Sequence, residues 1–169
     1  MRKNTSVSLL CYVVLAIGPS RIFAQSSIEL GGMKMDYRLR GDSVDITIEA
    51  PTKGWLGIGF NQKNDIVQSD LLLFHVVDGE SEVLDMYVKG VGDPRQDITM
   101  GGTNDIRIIE AEESNQSTVV RFSKPISSAD RYDFQHQLGE EFWLILAYST
   151  HDEFDHHSRM RKHIPFQFE

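Results

Sequence analysis

Met35-Asp36-Tyr37-Arg38-Leu39-Arg40 and Val44-Asp45-Ile46-Thr47-Ile48-Glu49-Ala50, joined by Gly41-Asp42-Ser43, decide the fold. In both runs apolar and polar residues alternate with a period of two. A β-strand sends successive side chains to opposite faces, so each run predicts a half-buried strand. The tripeptide between them reads as a hairpin turn. Near the end of the chain, Ile164, Phe166 and Phe168 alternate with Pro165, Gln167 and Glu169 in the same way. Residues 71–77 and 142–148 are apolar on both faces and predict central strands covered on both sides. Further strands are expected at residues 55–60, 83–88, 105–110 and 118–122. Residues 51–54, 90–96 and 112–116 read as loops. No long helix and no internal repeat is visible. Roughly nine or ten short strands in one domain predict an all-β fold, a two-layer antiparallel β-sandwich.

The first 24 residues differ from the rest. Arg2 and Lys3 precede an apolar run from Ser8 to Ile17, Gly18-Pro19-Ser20 breaks it, and Ala24 is a small residue at a suitable cut. This is the plan of a signal peptide, and it predicts export to a periplasm or the extracellular space. The run is short for a membrane span, and no longer one follows, so no span is expected in the mature chain. Residues 25–169 then form one domain. Cys11, the only cysteine, falls within the signal. Its loss excludes disulfides, thiolate zinc, iron–sulfur clusters and covalent haem. The remaining 14 basic and 25 acidic residues leave a net charge of −11. Such a chain does not bind nucleic acid through bulk electrostatics. The basic group Arg159, Arg161 and Lys162 reads as solvated charge.

Nucleotide motifs are absent. Gly54, Gly57 and Gly59 alternate, but no helix follows them, and they suit a flat strand beside a bulky partner. The adjacent pairs Glu112-Glu113 and Glu140-Glu141 point apart in strands and make a poor acid–base couple. No intrinsic enzyme activity is expected.

Several ordered segments resemble the DOMON family. They are Gly54-Trp55-Leu56-Gly57-Ile58-Gly59-Phe60, Ser69-Asp70, and Leu84-Asp85-Met86-Tyr87. Pro94 with Gln96-Asp97, Val120-Arg121-Phe122-Ser123-Lys124-Pro125, and Phe142-Trp143-Leu144-Ile145-Leu146-Ala147-Tyr148 follow in order. The likeness runs from about Ile28 to Glu169. It implies an immunoglobulin-like DOMON sandwich whose members bind haem b or are inferred to bind sugars. In enzymes of the family the chemistry belongs to a neighbouring domain, which implies a redox or membrane protein as partner. In the haem-binding members a Met before the Ser-Asp element and a His before the last strand ligate the iron. Ile66 holds the Met position here and has no lone pair to offer. His157 is the first choice for the other ligand and His156 the second. A bis-His arrangement of His75 with His157 is an alternative; a histidine packed among apolar residues with a backbone hydrogen bond is the other reading of His75.

Two further chemistries remain open. His151, Asp152, Glu153, Asp155, His156, His157 and His163 crowd one short segment. Imidazole with carboxylate suits zinc, copper or nickel, although a solvated loop has the same composition. Asp65, Asp70, Asp85 and Asp97 offer oxygen ligands to calcium or sodium, or else cap backbone amides. A small-molecule pocket is expected near Trp55, Phe60, Trp143 and His157, for a carbohydrate or another apolar-faced ligand, with core packing as the other role of both tryptophans. The functional expectation is an accessory ligand-binding module. The alternatives are a haem b electron carrier with non-standard ligation and an interaction domain without a small ligand.

Overall fold

The computed structural model describes residues 26–169; the expected signal peptide lies outside them. Among the described residues, eleven strands form two antiparallel sheets. The first sheet contains β1 (Ser26–Leu30), β2 (Met33–Arg40), β3 (Ser43–Ala50), β8 (Arg107–Glu113) and β9 (Thr118–Pro125), in the order β1-β2-β3-β9-β8. The second contains β4 (Leu56–Asn61), β5 (Asp70–Val77), β6 (Glu80–Gly90), β7 (Asp93–Gln96), β10 (Phe142–Tyr148) and β11 (Met160–Phe166), in the order β11-β10-β4-β5-β6-β7. A 3-10 turn, Asp97–Met100, follows β7. Among the described residues no helix is long and apolar enough to cross a membrane.

The period-two reading holds. Met33, Met35, Tyr37, Val44, Ile46 and Ile48 all turn inward and are buried. They meet Leu56, Ile58, Phe60, Leu72, Phe74 and Leu144 of the other sheet in one core. The doubly apolar strands β5 and β10 flank β4 in the middle of the six-stranded sheet. Their second faces carry a smaller apolar layer of Leu73, Ala147 and Trp55 on the outside of that sheet. Gly57 and Gly59 belong to the same outer face. A Cβ on Gly57 would lie 3.0 Å from Leu73, and one on Gly59 3.3 Å from Ile145. Bulky neighbours therefore lie flat across the glycines.

β1 was not expected, β6 and β9 run beyond their expected ranges, and three further boundaries differ. β7 occupies most of the predicted loop 90–96. It is a short edge strand carrying Pro94, and its polar composition hides it because an edge strand needs little burial and tolerates proline. β8 starts at Arg107 and runs past residue 110, with a register shift between Ile108 and Glu110. The last strand stops at Phe166, yet Phe168 is buried. Its ring packs 4.9 Å from Tyr37, and its carbonyl accepts from the Gly139 amide at 3.0 Å.

The strand registers define two ends. Trp143 lies opposite Asn61 at one end of β4, and Tyr148 lies opposite Leu56 at the other. Loops 62–69 and 126–141 gather at the first end. Loop 149–159 covers the second.

Candidate functional site

The first end carries a buried acidic well. Asp70 pairs with Tyr87, and Leu72 with Asp85, so both aspartates point into the sandwich from β5 and β6. From the opposite sheet, β9 turns Phe122 and Lys124 inward. Lys124 Nζ lies 3.0 Å from Asp70 Oδ2, with the two side chains 2% and 1% exposed. The same ammonium sits 4.6 Å from the centre of the Phe60 ring. Asp70 Oδ2 also accepts from the Phe134 amide at 2.9 Å. Asp97 opens the 3-10 turn and is fully buried.

Loop 126–141 closes the well with Asp130 and Asp133. Asp130 shapes this loop, since Oδ1 accepts from the Tyr132 amide at 2.9 Å and Oδ2 from the Thr103 amide at 2.5 Å. Asp133 accepts from the Ser128 hydroxyl. The well thus draws on strands, turn and loop far apart in sequence.

Its charge is unbalanced. Neither carboxylate oxygen of Asp85 or Asp97 has a hydrogen-bond donor, and Asp70 Oδ1 also lacks one. The expected amide-capping role is therefore not what Asp85 does, whereas Asp97 still faces the Tyr87 amide. Burial, and then the charges of Asp70, Asp133 and Asp97, push Asp85 up to about 8, against a smaller lowering by Lys124. Burial, then Asp70, Asp130 and Asp133, push Asp97 up to about 7; the nearby Tyr87 amide lowers it slightly. Asp133 rises to about 6, chiefly by burial. One ammonium cannot neutralise so many carboxylates, so protons or a cation must.

The geometry suits a cation. Carboxylate oxygens of Asp70, Asp85 and Asp133 lie within 4.8 Å of one another, as do those of Asp97, Asp130 and Asp133. Calcium takes oxygens at about 2.4 Å, so opposite ligands of one ion stand about 4.8 Å apart. Asp133 belongs to both triads. Next to the acids, His136 is buried among Phe60, Phe134, Phe142 and Phe168, with both ring nitrogens unpartnered. Burial and the Lys124 charge lower its pKa, so it is neutral.

A polar cleft of about 470 Å³ opens above the well. Asp70 and Asp133 contribute to its lining, with Gln62, Gln68 and Gln137 around them. Tyr87 and Tyr132 also line it, their ring centres 5.6 Å apart. A smaller cleft of about 330 Å³ borders Gly102, Asp105 and Asp130.

The residues expected to form a pocket do not converge. Phe60 lies in the inter-sheet core. Trp143 is half-buried on the outer face of the six-stranded sheet. Trp55 is 5% exposed and packs in the outer apolar layer. His157 is exposed in loop 149–159, where its carbonyl accepts from the Ser149 hydroxyl at 3.3 Å. Ile66 is in the loop at the other end. Asp65, beside it, acts electrostatically on His163, whose pKa burial lowers first and Arg161 next. His75 is committed: Nδ1 lies 3.1 Å from the Asp152 carbonyl, Nε2 lies 3.2 Å from Glu82, and Phe154 stacks on the ring at 4.4 Å. His151 and His156 stack on each other at 4.2 Å, and Asp155 stands 3.4 Å from His156 Nδ1.

Haem held between a Met and a His does not fit these residues. Ile66 has no donor, both nitrogens of His75 are engaged, and Trp55 and Phe154 already cover part of the outer sheet face.

Eleven strands in two antiparallel layers, with an interior closed by alternating apolar residues, define an immunoglobulin-like β-sandwich. The DOMON domain profile matches residues 29–149, and the chain belongs to the DOMON family. It is 26% identical over 102 residues to the DBH-like monooxygenase protein 2 of Mus musculus, a stretch that covers 60% of this chain and 16% of that protein. Among solved structures, it resembles the cytochrome domain of Myriococcum thermophilum cellobiose dehydrogenase. There the TM-score is 0.63 and the identity 11%, with 87% of this chain and 83% of that one covered. It also resembles the cytochrome b domain of pyranose dehydrogenase from Coprinopsis cinerea. The TM-score is 0.62 and the identity 14%, with 86% and 81% covered.

Sequence reasoning reached Asp70, Asp85 and Asp97, but not the roles of Lys124, Asp130, Asp133 or His136. Lys124 carried a signal, since it falls on the inward phase of Val120 and Phe122. Asp130 and Asp133 lie in an irregular loop, where no periodicity shows which way a side chain points.

Proposed function

We propose that this chain is a non-catalytic accessory binding module for a redox protein, exported from the cell, whose working end is the polar cleft organised by a calcium ion in the well beneath it. The carrying observation is that both carboxylate oxygens of Asp85, and Asp70 Oδ1 beside them, are buried without a donor. Such groups are costly unless protonated or paired, and a hard cation with oxygen ligands pairs them directly. The amide groups and tyrosine rings around the cleft suit a small polyhydroxylated ligand such as a carbohydrate. The likeness to domains of two dehydrogenases and to a small part of a monooxygenase-like protein supports a role in which a partner performs the chemistry.

Thermal unfolding and calorimetric titration test the reading. Calcium should raise the unfolding midpoint, a chelator should reverse the gain, and a saccharide panel in calcium buffer should yield a binder. No calcium effect removes the organised well. A calcium effect with a silent panel leaves the ion structural and removes the carbohydrate.

Haem b on His157 with a non-standard second ligand is a second reading, favoured by the likeness to two cytochrome domains. An absorption spectrum after haem addition decides it. No Soret band removes haem; a band unchanged in His157→Ala removes His157 as its ligand.

A further inference from the structure

We propose that loop 149–159, at the end opposite the acidic well, holds a separate site for a borderline divalent metal ion, with Zn2+ as its reference occupant and His151, His156 and Glu153 as its ligands. The loop is fixed at its base. The Trp55 amide donates to the His151 carbonyl at 3.0 Å, and the His151 amide donates to the Ser149 hydroxyl at 3.1 Å. The His156 amide donates to the Glu153 carbonyl at 3.1 Å, which closes a turn over residues 153–156.

The middle of the loop is fixed as well. The Asp152 carbonyl lies against His75 Nδ1, and Phe154 stacks on the same imidazole. Asp152 and Phe154 are thus tied to the outer face of the sheet. Glu153, between them, is exposed. It joins His151 and His156 on the solvent side, its carboxylate 3.7 Å from His156 Nδ1.

The two imidazoles stack at 4.2 Å with their planes only 16° apart. One donor nitrogen from each and a Glu153 oxygen all lie within 4.8 Å of one another. In tetrahedral zinc coordination at about 2.0–2.1 Å, neighbouring ligand atoms stand about 3.4 Å apart. The ligand atoms therefore have at most about 1.4 Å to close, and because a metal lies in the plane of each imidazole it binds, the two rings must also rotate out of their stack, which the χ angles of three exposed side chains on a fixed backbone allow. Two imidazoles and one carboxylate favour zinc, copper or nickel over calcium. The carboxylate-only well favours the opposite class, so the site stands or falls independently of the calcium reading. Three protein ligands leave a fourth position for water, Asp155 or a donor from a partner.

The test is titration of the whole domain with Zn2+ and with Co2+, in about 5 mM calcium throughout so that a hard-ion site is filled. Zinc should bind with a Kd below about 10 μM. Cobalt should develop visible d–d absorption. His151→Ala and His156→Ala should each weaken zinc binding at least about tenfold, and the double variant should lose the cobalt spectrum. Metal-free thermal midpoints should match the parent, because both rings are exposed. His156→Gln, which preserves bulk without a strong donor, should weaken binding like the alanine variant. Absence of wild-type binding up to about 100 μM zinc, or a double variant that binds within about threefold of wild type, overturns the site.

Discussion

Lys124 reaches across the sandwich to Asp70, Nζ to Oδ2 at 3.0 Å, and joins the two sheets through an ion pair almost wholly removed from water. Removing one partner of such a pair leaves an uncompensated charge. Lys124→Met should therefore cost about 3–5 kcal/mol in urea denaturation without calcium. Lys124→Met combined with Asp70→Asn should recover most of that loss. A single variant costing under about 1 kcal/mol would show that Asp70 is already neutral or otherwise paired.

The well also predicts how stability follows pH. Folding raises Asp85 from 3.8 to about 8, Asp97 to about 7 and Asp133 to about 6. Between roughly pH 4 and 8 these acids hold protons in the folded chain that the unfolded chain has released; His136, whose pKa burial lowers, works the other way below about pH 6.5, but three acids outweigh one imidazole, so stability falls as pH rises through that window. In chelator, the unfolding midpoint should be higher at pH 5 than at pH 8 by roughly 5 °C or more. In the proposed site calcium would bind the deprotonated carboxylates, so its stabilising effect should grow over the same range. A metal-free midpoint that climbs from pH 5 to pH 8 contradicts the account.

Asp85→Asn separates the two roles of that residue. It removes a buried charge from a position where no donor meets the carboxylate. The metal-free variant should be as stable as the parent or more so at pH 8, while its calcium-induced gain in midpoint should disappear. A variant that loses stability without metal but keeps the full calcium response would show that Asp85 is structural and not a ligand.

Gly102 lies against the well. A Cβ there would stand 2.3 Å from Asp130 Oδ2 and 3.0 Å from the Asp97 carbonyl. Gly102→Ala should cost about 1–3 kcal/mol and weaken calcium binding, because Asp130 and the 3-10 turn must shift. Gly90→Ala, where a Cβ meets nothing within 4 Å, is the matched control. Equal effects from both would remove the steric argument.

The sheets were legible because burial imposes alternation, as in Met35 to Leu39 and Val44 to Ala50. β7 was not, since an edge strand with Pro94 buries too little to impose a pattern. Asp70, Asp85 and Asp97 were visible as oxygen donors, yet their convergence is a tertiary property that depends on the register of β5 and β6 and on the path of loop 126–141. Lys124 followed the inward phase of its strand, but the apolar pattern does not reveal that a lysine at such a position is fully buried. The histidine segment was visible as composition. That His151 meets His156, while His157 stands apart, follows from the turn that Glu153 closes.

Loops 62–69 and 126–141 hang from one end of β4, and loop 149–159 from the other. Six residues at about 3.3 Å each keep the two groups more than 15 Å apart, with a packed sandwich as a rigid spacer. A molecule held at one pole would therefore leave the other pole uncovered, so the two proposed sites could be filled at the same time without competing for space.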